Sequence, residues 1–246
     1  DRSKELGRYA GSIAHWNGII LFLAQWTHQE DLSFACSVFG SLLAHFPKEA
    51  DSWLEHTIGY IFENLDEVRV HIVSSREMKN GEIDAIVEAD ASFAGHRDAS
   101  GQGFHRVIFR GKYTRIMPSS SSKKCKVGAS SSGEEEFKEY ARATKSLIRN
   151  VCVYESCSGT TIRKEYLVSD ARVALRNVQA GITPALEHVE RHARIRLRWL
   201  IDYWSRVAAE KNKKREAKWG RGAALCADIG TKALGKLRFL ELKQQT

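Results

Sequence analysis

Apolar positions along the chain follow two regimes that meet near residue 68. Before it, the period is helical. Ile13, Trp16, Ile20 and Leu23 recur at three- and four-residue spacing, with Leu21 and Trp26 flanking them. A second helix is predicted from Asp31 or Ser33, either of which can cap it, with Phe34, Val38, Leu42 and Phe46 on one face and Pro47 as its stop. A third starts near Asp51 and turns Trp53, Thr57, Tyr60 and Ile61 inward. His15, His28, His45 and His56 sit singly on these helices, in structural or surface roles.

Beyond residue 68 the period drops to two. Val68, Val70 and Ile72 alternate with charged or polar neighbours, which predicts a strand. Residues 78–82, with Asn80-Gly81 among them, predict a turn or short linker. Residues 83–93 predict a buried strand that carries Asp90 and breaks at Gly95. A glycine-rich turn over 95–103 leads to strands over 104–110 and 113–117, joined by Gly111-Lys112, so three strands form an antiparallel meander.

Residues 118–133, rich in Ser, Lys and Gly, predict a loop running to a helix cap at Ser131 or Ser132. Glu134, Glu135 and Glu136 then fall in the first turn, as the macrodipole favours. That helix continues through Phe137, Tyr140, Ala141, Thr144, Leu147 and Ile148, and residues 151–161 fit more than one state. A short strand at 166–169, a helix at 173–178 broken by Gly181 and Pro184, and a long helix over 184–210 follow. A basic turn at 211–215, a strand at 216–220 and a helix over 223–242 complete the chain. A meander followed by alternating strands and helices gives an α/β fold. The expected sheet is mixed and five-stranded, an antiparallel meander plus parallel strands, with helices on both faces. The expected division is a helical segment at 1–78 and an α/β domain at 79–246.

With 43% hydrophobic residues, the 246-residue chain can bury a full core. Its longest apolar run, residues 18–24, is far short of the roughly 20 residues that cross a bilayer, so no membrane partner is expected. The sequence opens on Asp1 without a signal peptide, which suggests a piece of a longer intracellular polypeptide. Cys36, Cys125, Cys152, Cys157 and Cys226 are scattered and form no Cys-x-x-Cys pair, consistent with reduced thiols. The net charge of +8 is lopsided: residues 191–246 hold 15 Lys/Arg against 5 Asp/Glu, and the other 190 hold 23 against 25. An anionic partner, or a solubilising charged face, is implied at the carboxyl-terminal end.

Four acids stand in apolar settings: Asp90, Glu136, Asp170 after Tyr166-Leu167-Val168-Ser169, and Asp228 within Leu225-Cys226-Ala227-Asp228-Ile229. A charge at the end of an apolar strand is costly unless paired or metal-bound. Carboxylates converging from strand ends and an early helix turn suit magnesium or manganese, and two such ions suit phosphodiester hydrolysis. The alternative for each acid is a cap or a surface charge.

These residues resemble the RNase H domain of copia-type LTR retrotransposon Pol polyproteins, over residues 83–242. The family's Asp-Ala-Asp-Trp-Ala-Gly strand motif stands here as Asp90-Ala91-Ser92-Phe93-Ala94-Gly95. Its Ser-Ser-Lys-Lys-Gln and Ser-Ser-Thr-Glu-Ala-Glu-Tyr match Ser121-Ser122-Lys123-Lys124-Cys125 and Ser131-Ser132-Gly133-Glu134-Glu135-Glu136-Phe137. Its Cys-Asp-Asn matches Ser169-Asp170-Ala171, and its Ala-Asp-Ile-Leu-Thr-Lys-Ala-Leu matches Ala227-Asp228-Ile229-Gly230-Thr231-Lys232-Ala233-Leu234. Residues 8–75, with Leu23-Ala24-Gln25-Trp26-Thr27 and Asp31-Leu32-Ser33-Phe34-Ala35, resemble the helical stretch between the reverse transcriptase core and RNase H. Ser92, Ala171 and Ala193-Arg194-Ile195-Arg196 depart from the family pattern without removing an aligned acid.

The resemblance implies an RNase H-like fold and endonucleolytic cleavage of the RNA strand of an RNA–DNA hybrid. It implies Asp90, Glu136, Asp170 and Asp228 as ligands of two magnesium ions, with manganese a possible substitute. It implies the rest of a reverse transcriptase polyprotein as partner, in a cytoplasmic particle or the nucleus. Lys123, Lys124, Lys126 and Lys232 are candidate phosphate contacts; a solvated loop is the alternative for the first three. Two other functions fit the same residues: a catalytically idle module that only binds nucleic acid, and an integrase- or transposase-like nuclease acting on DNA.

Overall fold

The computed structural model describes residues 5–27, 29–66, 71–93, 100–125, 131–181, 191–205, 214–221, 230–231, 234 and 236–243, of which 191–197 and 236–238 are described in backbone only. The amino-terminal helices are α1 (Ile13–Trp26), α2 (Ser33–Ser41) and α3 (Ala50–Glu63). Ile13, Ile20, Leu32, Cys36, Phe39, Phe46, Ala50 and Leu54 form a core among them. The predicted inward faces are partly displaced. Phe34 and Val38 are only half-buried while Cys36 and Phe39 are buried, and Trp53 is exposed while its neighbour Leu54 is fully enclosed. These helices carry apolar residues on more than one face, so periodicity alone does not single out the buried one.

Residues 67–70 of the predicted first strand lie outside the described residues. Ile72 makes an isolated antiparallel bridge to Arg115 rather than part of a strand. The Asn80-Gly81 pair ends a helix instead of forming a bare turn. α4 (Ser75–Asn80) is capped by the Ser74 hydroxyl, which accepts from the Glu77 N–H, and stops at Gly81 with φ of 64°. A left-handed glycine serves a helix end as readily as a turn.

The sheet has the strand order β3-β2-β1-β4-β5. β1 (Asp84–Ser92), β2 (Gln102–Arg110) and β3 (Arg115–Lys124) form the antiparallel meander. β4 (Glu165–Ser169) runs parallel to β1, and β5 (Arg215–Trp219) parallel to β4. Between β3 and β4 lies α5 (Ser132–Ser158); α6 (Arg172–Ala180) and α7 (Arg191–Trp204) connect β4 to β5, and α8 (Lys236–Lys243) follows. This is the mixed five-stranded α/β sheet expected of an RNase H-like fold.

β3 is longer than predicted. It takes in the serines and lysines of 118–124, which had been expected to loop. An edge strand needs backbone pairing, not apolar side chains, and here its serines are bonded laterally. Ser119 approaches Ser146 on α5, and Ser122 accepts from Gln102. Lys123 and Lys124 are therefore strand residues opposite Gly103 and Gln102. α5 also absorbs residues 151–158 and ends at Gly159, whose φ is 67°.

Strand alternation sorts the two faces of the sheet. Ala85, Val87 and Ala89 of β1 pack with Phe137, Tyr140, Ala143 and Leu147 of α5. On the same face Gly103 lies against the Glu139 carboxylate, where a Cβ would meet an oxygen at 2.0 Å, and His105 pairs with Glu139 at 2.6 Å. The opposite face carries Glu88, paired in register with Arg106. Arg106, 3% exposed, bonds Glu88 at 2.8 Å and Glu30 at 2.5 Å, joining the amino-terminal helices to the sheet. Gln102 also reaches Ser37 of α2. Phe239 of α8 meets Tyr60 edge-on, and Lys243 bonds Asn64, so α8 rests on α3.

The predicted helix over 223–242 is described at Gly230, Thr231, Leu234 and α8. Gly230 and Thr231 are not α-helical. A Cβ on Gly230 would fall 1.9 Å from the Phe104 ring, so this backbone is pressed flat on the sheet. Residues 206–213 and 222–229, which belong to the predicted long helix, basic turn and last helix, lie outside the described residues.

Candidate active site

Asp90 and Asp170 are brought level by the parallel pairing of β1 with β4. Glu88 stands opposite Val168, so both acids lie two residues further along neighbouring strands, which run about 4.8 Å apart. Asp170 follows Ser169, the last residue of β4. Asp90 alternates onto the face of Glu88 and Arg106, away from α5. It is 4% exposed, and one carboxylate oxygen accepts the Thr231 hydroxyl hydrogen. Ser92 donates to the Thr231 carbonyl at 3.2 Å, and Ser122 to the Gly230 carbonyl at 2.5 Å. Ser92 and Ser122 thus hold the 230–231 backbone over the end of the sheet, and Asp90 holds the Thr231 side chain.

Glu136 approaches from the other face. The Ser131 hydroxyl caps α5 by accepting from the Glu134 N–H, which fixes where the first turn begins. Glu136 is 7% exposed, one turn before Tyr140. The Tyr140 hydroxyl donates to Ser169 at 2.8 Å, the residue that delivers Asp170. The Tyr140 phenol is pushed well above its ordinary range. Burial is the largest cause, with the charges of Glu136, Asp170 and Asp90 adding to it and the Ser169 bond opposing. One hydroxyl therefore feels three acids from β1, α5 and β4. Asp90 and Glu136 lie on opposite faces of the sheet, and Asp170 follows the end of β4.

Asp228, the fourth predicted acid, lies outside the described residues, as do Lys126 and Lys232. Thr231, three positions after Asp228, is the residue bonded to Asp90. Among the described residues, no three His, Cys, Asp or Glu side chains form a group able to hold a metal ion. The donor type nevertheless fits a hard divalent cation, since the acids gathered here offer only oxygen. Lys123 and Lys124 lie at the same end of the sheet, through the register Asp90–Phe104–Ser122 and its continuation along β3.

Sequence reasoning missed Tyr140 and Ser169 as parts of the site and gave Thr231 no role. Tyr140 reads as one more apolar position of an amphipathic helix. Thr231 stood inside the Asp228-to-Leu234 match, but only the fold brings it to β1.

No protein-family profile matches the chain, and no curated protein sequence matches it. Several solved structures do resemble it. LC11-RNase H1, isolated from compost by a metagenomic approach, is 13% identical over 60% of this chain and 92% of its own, with a TM-score of 0.38. The NurA nuclease from Sulfolobus solfataricus is 8% identical over 79% of this chain and 64% of its own, with a TM-score of 0.35. The foamy viral protease-reverse transcriptase, solved with dsDNA, is 8% identical over 57% of this chain and 82% of its own, with a TM-score of 0.34. At these values the likeness is one of outline. No helix among the described residues is long and apolar enough to cross a membrane.

Proposed function

We propose that the chain is a metal-dependent endonuclease that cleaves the RNA strand of RNA–DNA hybrids. The observation that carries this reading is the level placement of Asp90 and Asp170 at the ends of adjacent parallel strands, with Glu136 buried in the first turns of α5. Asp90 and Glu136 are buried, and a buried carboxylate is costly unless it is paired or metal-bound. Asp90, Glu136, Asp170 and Asp228 are the residues proposed to hold magnesium, or manganese in its place. When bound, the metal would supply Lewis-acid stabilisation of the phosphoryl oxygens and a more acidic water.

The chain's own residues do the positioning. Tyr140 keeps its proton and ties Ser169, which steadies the start of the Asp170 turn. Thr231 orients one oxygen of Asp90. Lys123 and Lys124, with Lys126 and Lys232, are proposed to meet phosphates. The ordered motifs from Asp90 to Leu234 support the finer reading of a copia-type reverse transcriptase polyprotein, acting in an intracellular particle or the nucleus. The division near residue 78 is part of the same proposal, with α4 (Ser75–Asn80) spanning that point.

The test is cleavage of a labelled hybrid with and without magnesium, for the wild type and Asp90→Asn. Magnesium-dependent cutting of the RNA strand is expected, falling about 1,000-fold in the variant, as loss of several kcal/mol of charge stabilisation would give. Wild-type rates in Asp90→Asn would refute the assignment. A second reading, an idle binding module, is favoured by the Thr231 hydroxyl already engaging Asp90. Hybrid binding without any cleavage would select it. Cleavage of duplex DNA but not hybrid would select an integrase-like nuclease.

A further inference from the structure

Beside Asp170, the end of β5 carries an exposed aromatic residue and a cation that the cleavage chemistry does not use. Trp219, 44% exposed, is the last residue of β5 and pairs with Ser169. Its indole N–H donates to the Asp170 carbonyl at 3.3 Å, which fixes the ring plane. The Arg172 guanidinium lies 4.0 Å from the ring centroid. Arg172 is exposed; its backbone N–H donates to the Asp170 carbonyl at 2.9 Å, and its guanidinium makes no ion pair or hydrogen bond among the described residues. Its positive charge stands at the first position of α6, where the macrodipole disfavours it, and no acidic residue in that turn compensates. Arg221, two residues past Trp219, is exposed as well.

We propose that Trp219 and Arg172 form a subsite for an unpaired nucleotide at the edge of the site, the base stacking on the indole and its phosphate meeting the guanidinium. A paired base has both faces covered by its neighbours, so an exposed indole favours an unstacked one. A guanidinium over an aromatic ring keeps N–H donors free to meet a phosphate. The hydrogen bond to the Asp170 backbone carbonyl sets the subsite beside that residue, so a nucleotide held there adjoins the phosphodiester to be cut. This inference rests on the nuclease reading for the latter point only. The stacking itself needs just a nucleic acid.

The test is fluorescence anisotropy with the full chain in calcium, using a blunt RNA–DNA hybrid, the same hybrid with a four-nucleotide single-stranded overhang, and that overhang made abasic. The wild type is expected to bind the overhang about tenfold tighter than the blunt hybrid, the scale of one base–aromatic stack. The abasic overhang is expected to bind like the blunt one. Trp219→Ala should lose the preference and Trp219→Phe keep most of it. Arg172→Ala should lower the salt slope of overhang binding by about one. A wild type indifferent to the overhang, or to its bases, overturns the subsite without any variant having to fold. Cleavage of the blunt hybrid alongside that indifference leaves the nuclease reading standing. Overhang-dependent binding with no magnesium-dependent cleavage sinks the nuclease reading and keeps the subsite.

Discussion

Tyr140 ties α5 to the last residue of β4. Its hydroxyl is buried, bonded to Ser169 and surrounded by negative charge, so its proton is retained far into the alkaline range. A raised pKa in the folded state means stability that is complete below the unfolded value, near pH 10, and lost as pH climbs towards the folded one. Urea melts of Tyr140→Phe are expected to show about 1 kcal/mol less stability near neutrality, from the lost bond, with the gap to wild type narrowing above about pH 10. A gap that widens there would contradict the assignment. Glu77 is the opposite case. Burial raises its pKa, but the Thr114 hydroxyl and the backbone N–H groups of Tyr113, Lys112 and Thr114 outweigh it, and the net shift is downward. Its contribution is complete above its unfolded value of about 4.3 and is lost as pH falls through the folded one. Melts of Glu77→Gln should therefore converge on wild type as pH drops from 6 towards 3.

At the scale of elements, α5 is the lever that sets the site. Its cap at Ser131 determines which residues form the first turn, and hence that Glu136 and Tyr140 share a face. Ser131→Ala is expected to cost about 1 kcal/mol in a thermal melt, and to weaken cleavage more than a substitution of equal cost near Ser158. Equal effects at both ends would mean that the cap serves stability alone. On the same helix Glu135 and Glu139 press against Gly101 and Gly103 of the β2 region, positions where any side chain would collide with a carboxylate. Gly103→Ala should therefore displace α5 as a unit, and read out as a loss of both stability and cleavage.

At the scale of the whole molecule, the amino-terminal helices are bonded into the sheet through Glu30, Arg106 and Glu88. Arg106 and Glu30 are almost wholly enclosed, so removing the cation leaves buried negative charge behind. Arg106→Ala is expected to lose about 3–5 kcal/mol, and a fragment of residues 79–246 to be markedly less stable than the full chain in denaturant. A double-mutant cycle of Arg106→Ala with Glu30→Gln should give coupling well above that of an exposed pair such as Arg198–Asp202. Additive effects would mean that the helices merely rest on the sheet.

Local pattern determined much of this protein. Much of the order of elements, the Asp90 strand, a cap at Ser131 or Ser132 and the strand leading to Asp170 follow from apolar period and capping chemistry, which act within a few residues. The serine-rich edge strand β3 escaped that pattern because lateral backbone pairing, not side-chain burial, holds it. The buried faces of α2 and α3 escaped it too, because several of their faces are apolar and only a packing partner chooses among them. The motif resemblance proposed the acids, but no spacing could say that Asp90 and Asp170 would stand level, or that Glu136 would lie on the other face from Asp90. Those relations come from strand register and from the crossover through α5, which join residues 46 and 80 positions apart. The Thr231 bond to Asp90 and the Trp219 anchor on Asp170 are of the same kind, contacts between distant segments that exist only once the sheet has closed.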